Sequence, residues 1–171
     1  MSFAEKLKVG MLGEDAISRW LISRGHQVLP AYQIQANHGK GPRLFGAYGQ
    51  LISPDLFVFK NEKAMWVEAK HKTSFTWHRI TQTWQTGIDR RHWSDYLQVE
   101  RVTPFPVWLF FLHKPGENAK DTPAGMVSPT GLFANSVKVL KDSIDHEHEN
   151  HRPSGMVYWR EKTLIKLAES I

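Results

Sequence analysis

The chain contains no cysteine among its 171 residues, which excludes structural disulfides, thiolate zinc centres, iron–sulfur clusters and a cysteine nucleophile. It also lacks any apolar run approaching the roughly 18 residues of a membrane span. Met1 to Leu12 alternates charge with hydrophobe instead of building a signal-peptide core. The expectation is an intracellular, cytoplasmic protein with no membrane partner. Acidic residues are the minority, 17 Asp and Glu against 22 Lys and Arg, for a formal net charge of +5. That balance, a pI near 9.5 and seven Trp point to a polyanion whose bases can stack on rings. At this length a single domain over residues 1–171 is expected, its core spanning about 1–112 and a C-terminal elaboration about 113–171.

Ser2 followed by Glu5 fits a capping box, and Leu7, Met11, Ile17, Trp20 and Leu21 recur at helical spacing before Gly25 offers a stop. A first helix is expected there, with Gly10 and Gly13 as places where it could divide. Gln27 to Ile34 reads as a strand, and Gln35 to Gln50 as a long polar, Gly-rich loop. Ile52 to Phe59 and Ala64 to Lys70 are β-rich runs joined by a short connection, Lys60 to Lys63. Ile80, Trp84 and Ile88 sit four apart and predict a second helix from His78 to about Val99, while the apolar run Val107 to Leu112 suits a buried strand. Beyond Pro115 a short helix is expected at Leu132 to Lys141 and a β-like stretch at Met156 to Trp159.

The hairpin carries the chemistry. A connection centred between Asn61 and Glu62 pairs Phe59 with Ala64, Phe57 with Trp66 and Asp55 with Glu68. Lys70 shares the face of Glu68, while Leu56, Val58, Met65 and Val67 point the other way. Facing carboxylates repel inside an otherwise hydrophobic hairpin unless a cation neutralises them, and either Lys70 or a divalent metal can do so. Oxygen donors with an open coordination sphere suit Mg²⁺, or Mn²⁺ in its place, the ions of phosphodiester hydrolysis. A register slip of one residue would put Asp55 on the opposite face. The plain alternative is Asp55 at the start of a strand, with Glu68 and Lys70 a simple surface pair.

Ser53-Pro54-Asp55 followed by Glu68-Ala69-Lys70 on the next strand resembles the PD-(D/E)XK nuclease superfamily. The preceding helix, with Gly13-Glu14 and Trp20-Leu21-x3-Gly25, is similar to that of the archaeal Holliday-junction-resolvase-like branch. The resemblance covers about the first 112 residues and implies an α/β, restriction-endonuclease-like fold of order α-β-β-β-α-β, a central mixed sheet flanked by helices. It further implies a Mg²⁺-dependent deoxyribonuclease in which Asp55, Glu68, the Ala69 carbonyl and Glu14 hold metal and Lys70 assists catalysis. DNA is the implied partner, structured or branched DNA the nearest class, and the resemblance leaves room for a homodimer. Glu14 lies within about 60° of Ile17 on a helical wheel, at the border of the apolar arc. No clear Gln-x3-Tyr element stands in the second helix, since Tyr96 is wrongly spaced from Gln82 and Gln85, which argues against the RecB-like exonuclease branch.

Cations and rings interleave from His71 to Trp93, making Lys72, Arg79, Arg90 and Arg91 candidate phosphate contacts and Trp84 a core residue. Lys40 and Arg43, in a Gly-containing loop without Walker spacing, are further candidates for the DNA backbone. Asp145 to His151 lacks the His-Glu-x-x-His spacing of a zinc protease and reads as a solvated connection. Two other functions share these residues, a catalytically inactive nucleic-acid-binding or assembly protein on the same scaffold and an RNA-directed nuclease.

Overall fold

The computed structural model describes residues 3–31, 42–46, 49–114, 122–149 and 154–171, with the side chains of 3–9 excepted. Ser2 and the side chain of Glu5, and with them the expected capping box, lie outside the described residues, as does Lys40. The first helix, α1 (Phe3–Ser23), runs unbroken through Gly10 and Gly13. It ends as Gly25 predicted: φ is +81° there, the Gly25 amide donates to the Ile22 carbonyl and the His26 amide to that of Leu21.

Six strands build the central sheet in the order β1 (Gln27–Pro30), β4 (Leu56–Lys60), β5 (Lys63–Lys72), β8 (Val107–His113), β9 (Gly131–Ser136), β12 (Ile165–Ala168). All neighbours are antiparallel except β5 and β8, so the sheet is mixed. β4 and β5 turn through Asn61, whose φ is +54°, and pair Phe59 with Ala64 and Phe57 with Trp66 in the expected register. Alternation divides the core in two. Val58, Val67, Leu112 and Leu132 face α1 through Ile17 and Leu21. Leu109, Phe111 and Phe133 face Trp93, Tyr96 and Val99 of α2 (Arg90–Val102), Leu140 of α3 (Val137–Lys141), and Val157 and Trp159.

The remaining strands depart from the sequence expectations. Ile52 to Phe59 is not one strand, because Ser53-Pro54-Asp55 interrupts it. Arg43 and Ile52 instead close a hairpin of β2 (Arg43–Gly46) and β3 (Gly49–Ile52) within the expected loop. The second helix begins at Arg90, not His78. β6 (Thr76–His78) and β7 (Thr83–Asp89) form a hairpin in its place, turning through Gln82 at φ +50°. The spacing of Ile80, Trp84 and Ile88 was deceptive, since Ile80 is 88% exposed in the turn while Trp84 and Ile88 share a face of β7. Trp84 packs against the core, half-buried, and its ring meets that of its cross-strand partner Trp77 at 5.0 Å. Leu132 to Ser136 is likewise strand, and the helical part of the expected span is α3. The tract expected to be a solvated connection contributes β10 (His146–His148), which joins β11 (Met156–Arg160) in a second sheet of order β10-β11-β7-β6.

Candidate active site

Asp55 stands one residue before the last pair of the β4–β5 ladder, Leu56 with Val67. Main-chain pairing stops there and the side chain continues it: Oδ2 of Asp55 accepts the Ala69 amide at 2.9 Å. The carbonyl of the same residue accepts the Ala31 amide at 2.8 Å, tying the Pro54-Asp55 corner to the end of β1. Glu68 and Lys70 emerge from β5 on the face opposite α1, beside Leu109 and Phe111 of β8. Glu68 is only 1% exposed. Its Oε1 is ion-paired with the Lys70 ammonium, and its Oε2 is buried without a hydrogen bond of ordinary geometry.

Two helices complete the cluster. Glu14 comes from α1, which lies so close to β5 that a Cβ on Gly13 would meet the Cβ of His71 at 2.5 Å. Burial first, then the charge of Glu68, raises the Glu14 carboxyl above its ordinary range against the pull of Lys70. From α2, the buried Tyr96 directs its hydroxyl to Glu68, and burial together with the nearby acids holds its phenol well above the usual value. His92, one turn earlier, stands with its ring 6.2 Å from that of Tyr96, and burial and then the Lys70 ammonium lower its pKa. Asp95 ties the helix to β3 by accepting the Ile52 amide at 3.2 Å.

The acids are mutually strained. Burial, then Glu68 and Glu14, push the Asp55 carboxyl well above its ordinary range, although Lys70 and the Ala69 amide oppose them. Burial disfavours the Lys70 ammonium, but Glu68 and Asp55 outweigh it and raise its pKa, so the cation persists at neutral pH. One ammonium thus answers three carboxylates. The three carboxylates do not all come within 4.8 Å of one another; among the described residues the trio that does is His78, Asp145 and His146.

The structure therefore gathers Glu14, Asp55, Glu68, Ala69 and Lys70. The expected nucleic-acid contacts are dispersed. Lys72 donates to the Gly87 carbonyl at 2.7 Å, Arg43 lies half-buried on β2 and Arg79 is exposed in the β6–β7 turn. Arg90 is engaged by Glu147 at 3.1 Å and Glu149 at 3.2 Å, and Arg91 is exposed while its amide donates to the Asp89 side chain that caps α2. Gln82 and Gln85 are not helical. Tyr96 and His92 are the site residues that sequence reasoning missed. Their four-residue spacing was the available signal, hidden because the helix was begun twelve residues too early, at His78 instead of Arg90.

No family model and no curated protein matches the sequence. Among solved structures, Hjc from Archaeoglobus fulgidus, a Holliday junction resolvase from an archaeal hyperthermophile, superposes with a TM-score of 0.51 over 90% of each chain at 7% identity. The chain shares the fold of that protein. Within that fold, β4 and β5 supply the acidic hairpin, α1 covers one face of the sheet, and α2 crosses from β7 to the parallel strand β8 on the other.

Proposed function

We propose that the protein is a metal-dependent nuclease that hydrolyses phosphodiester bonds in DNA at the Asp55–Glu68–Lys70 cluster. The observation that carries this reading is the Glu68 carboxylate, buried at 1% exposure with Oε2 unpartnered and Asp55 strained beside it. A purely structural pair of Glu68 and Lys70 has no use for a second and third half-buried carboxylate beside it, each of which lowers stability. An unpartnered carboxylate oxygen among all-oxygen donors fits a hard divalent cation, Mg²⁺ or Mn²⁺. Asp55, Glu68, the Ala69 carbonyl and Glu14 are the residues to hold it. When bound, such an ion supplies a polarised phosphate and a water of lowered pKa.

The chain's own residues divide the rest of the work. Lys70, protonated at neutral pH, donates hydrogen bonds to the attacking water and offsets negative charge as the new P–O bond forms and the leaving-group oxygen departs. Tyr96 orients Glu68, and the Ala69 amide fixes Asp55. Branched DNA is the first substrate class to try, because the resolvase that shares the fold is named for Holliday junctions. The second reading, a nucleic-acid-binding scaffold without turnover, draws on the Lys70 ammonium already occupying Glu68.

The deciding experiment is cleavage of duplex, single-stranded, flap and four-way-junction DNA and of matched RNA, with Mg²⁺, Mn²⁺ or EDTA, by wild type and Asp55→Ala. Metal-dependent DNA cutting that the variant loses is the expected result. Binding without cutting of any substrate would replace the nuclease by the scaffold.

A further inference from the structure

Two histidines and an aspartate outside the acidic cluster converge in the second sheet. His78 ends β6, Asp145 immediately precedes β10 and His146 opens it. One ligand atom from each lies within 4.8 Å of the other two. We propose that His78, Asp145 and His146 form a zinc site that clips the β6–β7 hairpin to β10, independent of the nuclease reading.

Donor chemistry selects the ion. Two imidazoles and one carboxylate suit Zn²⁺, whereas Mg²⁺ and Ca²⁺ prefer oxygen throughout. With bonds of about 2.0–2.1 Å, a tetrahedral zinc holds its ligand atoms about 3.4 Å apart, so the trio needs to close by little more than an ångström. Three protein ligands leave the fourth position to water.

The surroundings already orient all three groups, as metal ligands require. Nδ1 of His78 lies 2.7 Å from the Thr81 hydroxyl, itself 2.8 Å from that of Thr83. With the proton on Nδ1 donated to Thr81, the Nε2 lone pair of His78 is left for an ion. The Asp145 carboxylate, 5% exposed, is fixed by Arg160 on Oδ1 and by the Gln85 amide on Oδ2 at 2.5 Å. Oδ2 also faces Nδ1 of His146 at 3.0 Å. Arg160 therefore neutralises one oxygen and leaves the other directed at the histidines.

The rings are held as firmly. His146 is stacked between His78, at 4.7 Å, and Tyr158, at 4.8 Å. Tyr158 in turn lies across Gly87 of β7, where any Cβ would come within 2.7 Å of the ring. The glycine that interrupts an otherwise β-prone strand thus makes room for the stack that carries the ligand.

The test uses untagged full-length protein, stripped with chelator, as wild type, His78→Gln, His146→Gln and Asp55→Ala. Zn²⁺ titration by calorimetry, the visible spectrum with Co²⁺ as a probe, and thermal midpoints with Zn²⁺ or EDTA are read for each. Wild type and Asp55→Ala are expected to take one equivalent of Zn²⁺, give tetrahedral Co²⁺ bands and melt higher with zinc. Each histidine variant is expected to lose at least tenfold in affinity while matching the wild-type midpoint in EDTA. The proposal fails if wild type shows no such bands and no zinc-dependent midpoint. It fails equally if binding survives in both histidine variants, or if it disappears in Asp55→Ala, which would assign the ion to the acidic cluster. Should one histidine variant not fold, the wild-type Co²⁺ spectrum and the other variant still decide.

Discussion

The carboxylate of Asp55 accepts the backbone amide of Ala69, the residue between Glu68 and Lys70, at 2.9 Å. The contact holds the anion where burial and two other acids oppose its charge. Folding raises the pKa values of Asp55 and Glu14 above their ordinary 3.8 and 4.5. Their contribution to stability is therefore fully present below those ordinary values and is lost as pH rises through the raised ones. His113, buried against Phe75 with its pKa lowered to about 3, works in the opposite sense, losing stability as pH falls from 6.5. Asp55→Asn keeps an oxygen for the Ala69 amide and leaves His113 unchanged. In EDTA the variant should melt above wild type at neutral pH, and the gap should narrow towards pH 4. A gap that widens on acidification would contradict the strain at Asp55.

Glu68→Gln should lower cleavage by at least about 100-fold, with DNA binding unchanged or tighter because less negative charge faces the phosphate. Single-turnover kinetics beside equilibrium binding measure both. An unfolded variant, or one that still cuts, would remove Glu68 from the catalytic set.

Tyr96→Phe removes a hydroxyl directed at a buried carboxylate, at a cost of about 1–3 kcal/mol in stability. Because the residue orients Glu68, kcat should fall about 10- to 100-fold with KM little changed. A rise in KM alone would place Tyr96 among substrate contacts instead.

Gly13→Ala improves helix propensity by about 1 kcal/mol, yet its Cβ would lie 2.5 Å from that of His71. Net destabilisation of roughly 1–3 kcal/mol is expected as α1 lifts from β5, and activity should fall further because Glu14 moves with the helix. Urea denaturation that shows a neutral or stabilised variant would contradict this packing.

Arg91 is exposed at the start of α2, whereas Arg90 is occupied by Glu147 and Glu149. Arg91→Ala should flatten the salt dependence of DNA binding by about one unit of slope, and Arg90→Ala by less. Unchanged slopes in both would move the DNA surface away from this helix.

The hairpin was legible because period-two alternation and a two-residue turn fix register together, although the ladder ends at Leu56–Val67, one pair short of the expected Asp55–Glu68. The span from His78 to Asp89 was misread because four-residue spacing is common to a helical stripe and to alternate positions on a strand. Threonine and tryptophan there favour pleated structure, Gly87 counts against a helix, and the pairing with Tyr158 and Trp159 across β11 settles it. The same error hid Tyr96, whose partner Glu68 is distant in sequence. Asp145 and the histidines near it were unreadable for a related reason: no local pattern announces that His78, from another hairpin, completes the group.

β5 is hydrogen-bonded to β4 on one side and to β8 on the other, while β1 and β12 form the edges of the sheet. Hydrogen exchange should follow that hierarchy: edge amides of β1 open by local fraying, whereas the Ala69 amide, held by the Asp55 carboxylate on a segment paired with β8, exchanges only through larger openings of the sheet. The groups that must keep sub-ångström geometry thus ride on a segment that opens late, so their arrangement outlasts the fraying of the edges.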